Sequence, residues 1–393
     1  MIGRRGRDNP IQTIKVIAEE ENVSGLWQAI AWLGILTSFL IFSYYSVVAG
    51  WILFYIMKSF SGAFVNVPSE IVRHSYDALL RNPDQLLIWH SVFVLMVVSV
   101  LAKGIRAGVE RALWFLMPLS IVALLGMCIY ISQFGDVEAA YTFLTTFDID
   151  AINAELVVSA LTQALFSFGI GIGVLMLYGS YLKDDRPLFS GSVVVIVCDT
   201  CIALVMSVMI FSTVFAFGIS PDTGPGLIFK TIPVAFAQVP ENSALWSASF
   251  FILLLVPALI SGFALLEPTI AALVSAFEIP RRLAAWLAGS FAWILGLLSV
   301  YSFSDLKFSF YYFAEERTNG LFDVLYILTT HVLMPLTALL LALFAGWKVS
   351  RTNALSSLNL RAHFTFVIWQ FCNRFIAPLI ITIILFLVLF YPG

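Results

Sequence analysis

The chain has 393 residues, of which 60% are hydrophobic, 15% aromatic and only 11% charged, with a net charge of −3 and a mean hydropathy of +0.95. A water-soluble domain runs nearer half apolar and a quarter charged. This composition therefore excludes an ordinary soluble enzyme and a disordered chain, and 21 Lys and Arg against 24 Asp and Glu leave no basic footprint for nucleic acid.

At about 20 apolar residues per helical crossing, the chain could fill roughly ten spans. Residues 1–21 read as a cytoplasmic arm that carries Arg4, Arg5 and Arg7 and lacks the apolar core of a secretory signal. Nine nearly charge-free stretches follow. They predict spans near 24–57, 86–102, 112–134, 156–182, 187–218, 243–276, 283–303, 324–347 and 363–391. Apolar runs of this length favour helices over barrel strands, which would alternate with period two.

With the N-terminus in the cytoplasm, alternate crossings put fourteen Lys and Arg inside, among them Arg186 and Arg361, and six outside, among them Lys58, Lys230 and Arg317. That bias follows the positive-inside rule and places the C-terminus outside the inner (plasma) membrane. The outside segments 58–84, 136–155, 220–241 and 305–323 are long. The helix-like patch 67–80 suits either a vestibule cover or a passive connector. No linker divides the chain, so residues 1–393 read as one integral domain.

Polar groups inside spans are costly and therefore informative. Asp199 lies near mid-membrane and suits an ion ligand, or else a carboxylate paired within the bundle. Glu267, between Leu266 and Pro268, fits a structural hydrogen bond at least as well as a ligand. Arg374 suits snorkelling or pairing. His90, beside Trp89 at a span start, reads as interfacial. Cys128, Cys198, Cys201 and Cys372 lack zinc or redox spacing and read as small buried hydrophobes.

The stretch Gln163 to Gly173 holds Gly169, Gly171 and Gly173 at alternate positions. Glycine weakens a helix by about 1 kcal/mol relative to alanine. Two readings survive: close packing through Gly169 and Gly173 as a small-xxx-small pair, or an unwound break that exposes carbonyls to an ion or substrate. No metalloprotease, nucleotide-loop or nucleophile-elbow motif is present, and the four His residues lack ligand spacing.

Several segments resemble the neurotransmitter:sodium symporter family, bacterial branch. They are Gly3 to Pro10, Ser43 to Trp51, Lys103 to Arg111 with Met117 and Pro118, Phe166 to Tyr181, Asp199 and Thr200 with Ile210 and Phe211, and Ala264 to Pro268. They run in the family's order over nearly the whole chain. The resemblance implies an all-α polytopic membrane protein with a LeuT-like inverted-repeat fold and about nine transmembrane helices. It also implies that a sodium gradient drives uptake of an amino acid or related small molecule.

Residue by residue, the resemblance assigns Tyr45 to the substrate carboxylate and Ile41, Phe166, Gly169 and Ile172 to the substrate pocket. Ser167, which also touches substrate, and Asp199 match ligands of the first sodium ion. The Pro257 carbonyl and the Ser261 hydroxyl match ligands of the second. Gln163 and Tyr181 match gate-lining positions.

The family's first helix and most of its second have no counterpart, so the sequence is expected to lack its true N-terminus. Ile260 replaces a second-site hydroxyl. Tyr326 and Ser275 replace the outer and inner gate carboxylates, and Leu113 and Trp114 replace a usual polar pair. Two readings follow: a sodium-coupled transporter, or a degenerate family member that does not transport and serves, if at all, as a membrane binding or scaffold protein.

Overall fold

The computed structural model describes residues 1–65, 67–150, 152–183, 187–222, 224–239, 242–312, 315–358 and 363–390. Arg186, Arg361 and the last residue of the span expected at 363–391 lie outside them. Among the described residues eight helical segments are long and apolar enough to cross a membrane. The stretch expected to span at 156–182 holds two short helices instead, α8 (Ala154–Ser167) and α9 (Val174–Ser180).

The molecule begins with α1 (Ile2–Gly6) and α2 (Pro10–Glu20). Pro10 starts α2, and the Asn9 side chain accepts from the amides of Ile11 and Gln12, so the helix is capped at its first turn. A short 3-10 turn then leads into α3 (Ala29–Phe60), the hub of the bundle. Around α3 pack α5 (Pro83–Leu101), α12 (Ser243–Phe277) and α13 (Arg281–Ser302).

In a bilayer the tails are as apolar as leucine, so close packing rather than water exclusion joins helices. Glycine supplies that closeness here. A Cβ on Gly50 of α3 would stand 2.9 Å from the His90 amide nitrogen. One on Gly296 of α13 would stand 2.6 Å from the His90 ring. His90 therefore sits where three helices meet, fully buried and stacked on Trp293. The expectation that it is interfacial is corrected. Two opposing glycines made room for an imidazole inside the bundle, and the Trp293 carbonyl 3.2 Å from Nε2 partners it.

The outer layer differs. After a π-helical turn, α6 (Arg111–Ile131) completes one span, and α10 (Leu188–Ala216) forms another. Only 6% of the apolar window of each is buried. Cys198 and Cys201 are exposed on α10, and Cys128 and Cys372 are half-buried. They are not the buried hydrophobes expected: nearly every residue of α10 from Phe189 to Val205 is exposed, so Cys198 and Cys201 have no packed neighbour layer to enter.

Helix α4 (Ser69–Leu80), the reading of patch 67–80 as helix, packs on a π-helical turn that leads into α11 (Ile232–Ala237). Tyr76 stacks on Phe229, and Lys230 pairs with Asp77 at 2.8 Å. Beneath them Trp51 meets Tyr76, Phe229 and Phe303 edge-on at 5.5 Å. Helix α7 (Val137–Thr145) lies against α10. A two-strand hairpin, β1 (Phe310–Tyr312) with β2 (Glu315–Arg317), leads into α14 (Gly320–Ile327) and α15 (Met334–Leu343), joined by a π-helical turn. Helices α16 (Arg351–Leu358), α17 (His363–Phe371) and α18 (Ala377–Phe390) end the chain. Arg374 is structural: its Nε donates to the Gly346 carbonyl at 2.5 Å, and its guanidinium lies over the Trp347 ring.

Candidate functional site

The discontinuous helix builds the site. Helix α8 stops because Gly169 takes a left-handed φ of 63°. The Gly169 amide bonds the Phe166 carbonyl at 3.0 Å and the Ile170 amide bonds the Leu165 carbonyl at 2.9 Å, the double closure of a glycine-ended helix. Gly171 and Gly173, at φ 87° and 73°, keep the chain unwound until α9 starts. Of the two readings of these glycines, the unwound break holds, whereas the expected packing pair of Gly169 and Gly173 does not: Gly169 touches only Ile172 of its own stretch, and it is Gly171 and Gly173 that lie against other helices. Gly173 rests on Gly34 of α3, where an added Cβ would meet its amide at 3.0 Å, and Gly171 lies against the Met334 carbonyl of α15. The unwound stretch is thus held between two helices.

Ser167 closes α8, and its hydroxyl donates to Asp199 of α10 at 2.8 Å. The last carbonyls of a helix carry the negative end of its dipole. A carboxylate, a hydroxyl and that helix end together favour a small cation. Gln163, one turn before Ser167, shares its exposed face, and Phe166 is half-buried beside it.

A second cluster joins α3 to α12. The Tyr45 hydroxyl donates to the Ala258 carbonyl at 3.3 Å and reaches Ser261. Pro257 and Ser261 share an exposed strip one turn apart, with half-buried Ile260 next to it. Pro257 has no amide hydrogen, so the Leu253 carbonyl lacks its helical partner. Ile41, one turn before Tyr45, is fully buried, and Ile172 is buried over Gly169. Among the described residues no hydrogen bond joins the Ser167 and Asp199 pair to the Tyr45 cluster. No group of three or more His, Cys, Asp and Glu side chains comes together among them either. The candidate cation ligands are therefore hydroxyl, carboxylate and carbonyl oxygens.

Glu267 takes the structural hydrogen-bonding role that its sequence reading allowed, with a partner, Arg281, that the sequence reading did not name. Glu267, 1% exposed, receives both guanidinium nitrogens of Arg281, at 2.9 and 2.6 Å, while Arg281 Nε donates to the Leu101 carbonyl. One arginine thus ties α12, α13 and the end of α5 together. Tyr178 and Tyr181, whose rings lie 6.2 Å apart, face this pair. The signal available was an apolar helix bearing a lone Glu, followed across a short turn by an Arg. Ser275 is exposed near the end of α12. On α14, Tyr326 packs edge-on against Tyr44 and His331, while buried Asp323 accepts from the Asn319 amide at 2.9 Å.

The sodium:neurotransmitter symporter family matches residues 72–392. The chain belongs to that family. A sodium-dependent transporter of Haemophilus influenzae is 32% identical over 98% of this chain and 84% of its own length. The sodium-dependent transporter YhdH of Bacillus subtilis is 30% identical, with the same coverage. Among solved structures, MhsT in complex with L-phenylalanine superposes with a TM-score of 0.87 at 32% identity, over 98% of this chain and 85% of that one.

This family membership, with the break at Gly169 to Gly173, makes the protein a multi-pass membrane protein of the LeuT-like fold. The relatives are transporters along almost all of the present chain, which speaks against a scaffold reading.

Proposed function

We propose that this protein is a sodium-coupled symporter of an amino acid or a closely related small molecule, seated in the inner (plasma) membrane with residues 1–21 in the cytoplasm. The observation that carries the reading is the Ser167 to Asp199 hydrogen bond at the end of a helix that the Gly169 break stops. Ser167 and Asp199 offer one cation a hydroxyl and a carboxylate oxygen beside the negative end of α8. The Pro257 carbonyl and Ser261 offer oxygens for a second, where Ile260 contributes at most its carbonyl.

Tyr45 presents a hydroxyl to a substrate carboxylate from α3. Ile41, Phe166, Gly169 and Ile172 surround the substrate side chain, and the lack of bulk at Gly169 leaves space for a large apolar group. L-phenylalanine, with which MhsT is in complex, has such a side chain. Gln163 at one end of the break and Tyr181 at the other guard the two approaches. The fourteen-to-six distribution of Lys and Arg supports the orientation.

Reconstitution tests this reading. Purified protein in liposomes is expected to accumulate radiolabelled phenylalanine, or another member of an amino-acid panel, under an inward sodium gradient and not under potassium. Uptake that is indifferent to sodium would overturn the coupling, and a panel without any transported or bound amino acid would overturn the substrate class.

A further inference from the structure

Where α6 ends and the chain turns into α7, a cavity of ≈ 280 Å³ opens beside α10. Among the described residues its apolar lining is Ile131 of α6, Val137 of α7, and Leu204, Val205, Val208 and Met209 of α10. Cys128, Ser132 and Ser212 complete it. An apolar cavity of about 150 Å³ stays dry and takes benzene, so this one has room for a body roughly twice as large.

The backbone fixes the walls. The Asp136 amide donates to the Ser212 carbonyl at 3.0 Å, and the Asp136 carboxylate caps α7 by accepting from the Ala139 amide at 2.9 Å. A Cβ on Gly135 would stand 2.7 Å from the Ile131 carbonyl oxygen and 3.2 Å from the Ser212 Cβ, so glycine lets the turn close onto α10. The turn and α10 are thereby held at one separation.

One group in the lining lacks its partner. Ser192, Thr200, Ser207 and Thr213 of α10 each donate to the carbonyl one turn earlier. Ser212 is fully buried, yet its hydroxyl has no hydrogen-bond partner among the described residues. An unpaired buried hydroxyl is costly. The Ser132 hydroxyl already donates to the Ile129 carbonyl at 2.8 Å, and a thiol such as that of Cys128 bonds only weakly. A buried water needs about two to four polar partners, more than this lining offers in strong form. A molecule with an apolar body and a single hydroxyl matches both parts of the cavity.

The geometry points to a binding site here for a small membrane-soluble alcohol, aliphatic or aromatic, whose hydroxyl pairs with Ser212 and whose body lies against Ile131, Val208 and Met209. Only 6% of the apolar window of α6 and of α10 is buried, so such a molecule arrives laterally from the bilayer. A lipid acyl chain would fill the volume but leave Ser212 unpaired. The site is separate from the Ser167 and Asp199 pair and independent of the transport reading.

Photolabelling of the full chain in lipid nanodiscs tests it. The probe is octanol carrying a diazirine, and peptide mass spectrometry maps the adducts. Saturable adducts are expected within 128–137 and 204–212. Octanol should compete about fivefold more strongly than octane at equal mole fraction in the bilayer, the worth of one hydrogen bond. Ser212→Ala removes no bond within the fold and is expected to bring the two competitors to within about twofold. Val208→Trp fills the cavity and should abolish these adducts; if it unfolds, Ser212→Ala carries the test alone.

Adducts that do not saturate, or that spread evenly along α10, would overturn the proposal. Equal competition by octane and octanol in the wild-type chain would also overturn it, since an acyl chain then fills the cavity. So would an unchanged preference for octanol in Ser212→Ala. Sodium-driven uptake is read separately, so its failure leaves this test untouched.

Discussion

Glu267 and Arg281 form a two-bond ion pair, at 2.9 and 2.6 Å, whose carboxylate is 1% exposed and whose guanidinium is 27% exposed. Both oxygens of the carboxylate are used. The third guanidinium contact, to the Leu101 carbonyl, extends the pair into a joint between three helices.

Removing one partner of a buried pair leaves the other uncompensated, at a cost of about 3–5 kcal/mol. Arg281 keeps some access to water, so Glu267→Ala is expected to lose about 3 kcal/mol, the lower end of that range. The double variant Glu267→Ala/Arg281→Ala should lose less than the sum of the two singles. Denaturant unfolding in detergent measures all three. Strict additivity would mean that the two side chains do not stabilise the fold as a pair.

The three break glycines are not equivalent. An alanine at Gly169 meets open space, its nearest neighbour being the Ile172 side chain at 3.6 Å, and is strained only by its positive φ. That conformation costs an ordinary residue about 1–2 kcal/mol. An alanine at Gly171 adds a collision with the Met334 carbonyl. Gly171→Ala is therefore expected to lose about 1–3 kcal/mol more than Gly169→Ala, the range for overfilling a packed site. Thermal unfolding of the pair checks the order; the reverse order would contradict the packing of the break against α15.

Sodium coupling through Ser167 and Asp199 has a signature beyond lost activity. Asp199→Ala removes the only charge in the cluster and is expected to raise the half-saturating sodium concentration about tenfold or more, equivalent to about 1.4 kcal/mol. Ser167→Ala should give a smaller rise. The double variant should resemble Asp199→Ala alone, because the two residues act as a unit. Sodium titrations of substrate binding measure this. An unchanged sodium requirement in Asp199→Ala would remove the residue from the site.

Outside the spans, the Tyr312 hydroxyl of β1 shares a 2.9 Å hydrogen bond with His331. Burial pushes the Tyr312 phenol up to about 12, against the opposing pull of Arg317. A free phenol titrates near 10. Between these values the unfolded chain loses a proton that the folded hairpin keeps. The contribution of Tyr312 to stability is thus whole below about pH 10 and is lost as pH rises towards 12. The late-titrating part of the phenolate absorbance should be smaller by one tyrosine in Tyr312→Phe than in the wild-type chain, provided the protein remains folded. A Tyr312 that titrates at the ordinary value would show that the hairpin does not shield it.

The sequence by itself determined the membrane class, the helical architecture and the family. Each rests on local quantities: stretches with almost no charge, the bias of Lys and Arg between segments, and short motifs such as Phe166 to Tyr181. It also marked Ser167 and Asp199, whose side chains the fold brings to hydrogen-bond distance. Only the tertiary structure decided between packing and unwinding at Gly169 to Gly173, because φ depends on what holds the chain on either side, here Gly34 and Met334. It alone moved His90 from an interface to the core, through the space left by Gly50 and Gly296 on other helices. It alone gave Glu267 its partner and gathered Ile131, Val137 and Ser212 around one cavity. A charge inside a membrane needs a counterpart, but which residue supplies it is set by helices far apart in the chain that only folding makes neighbours.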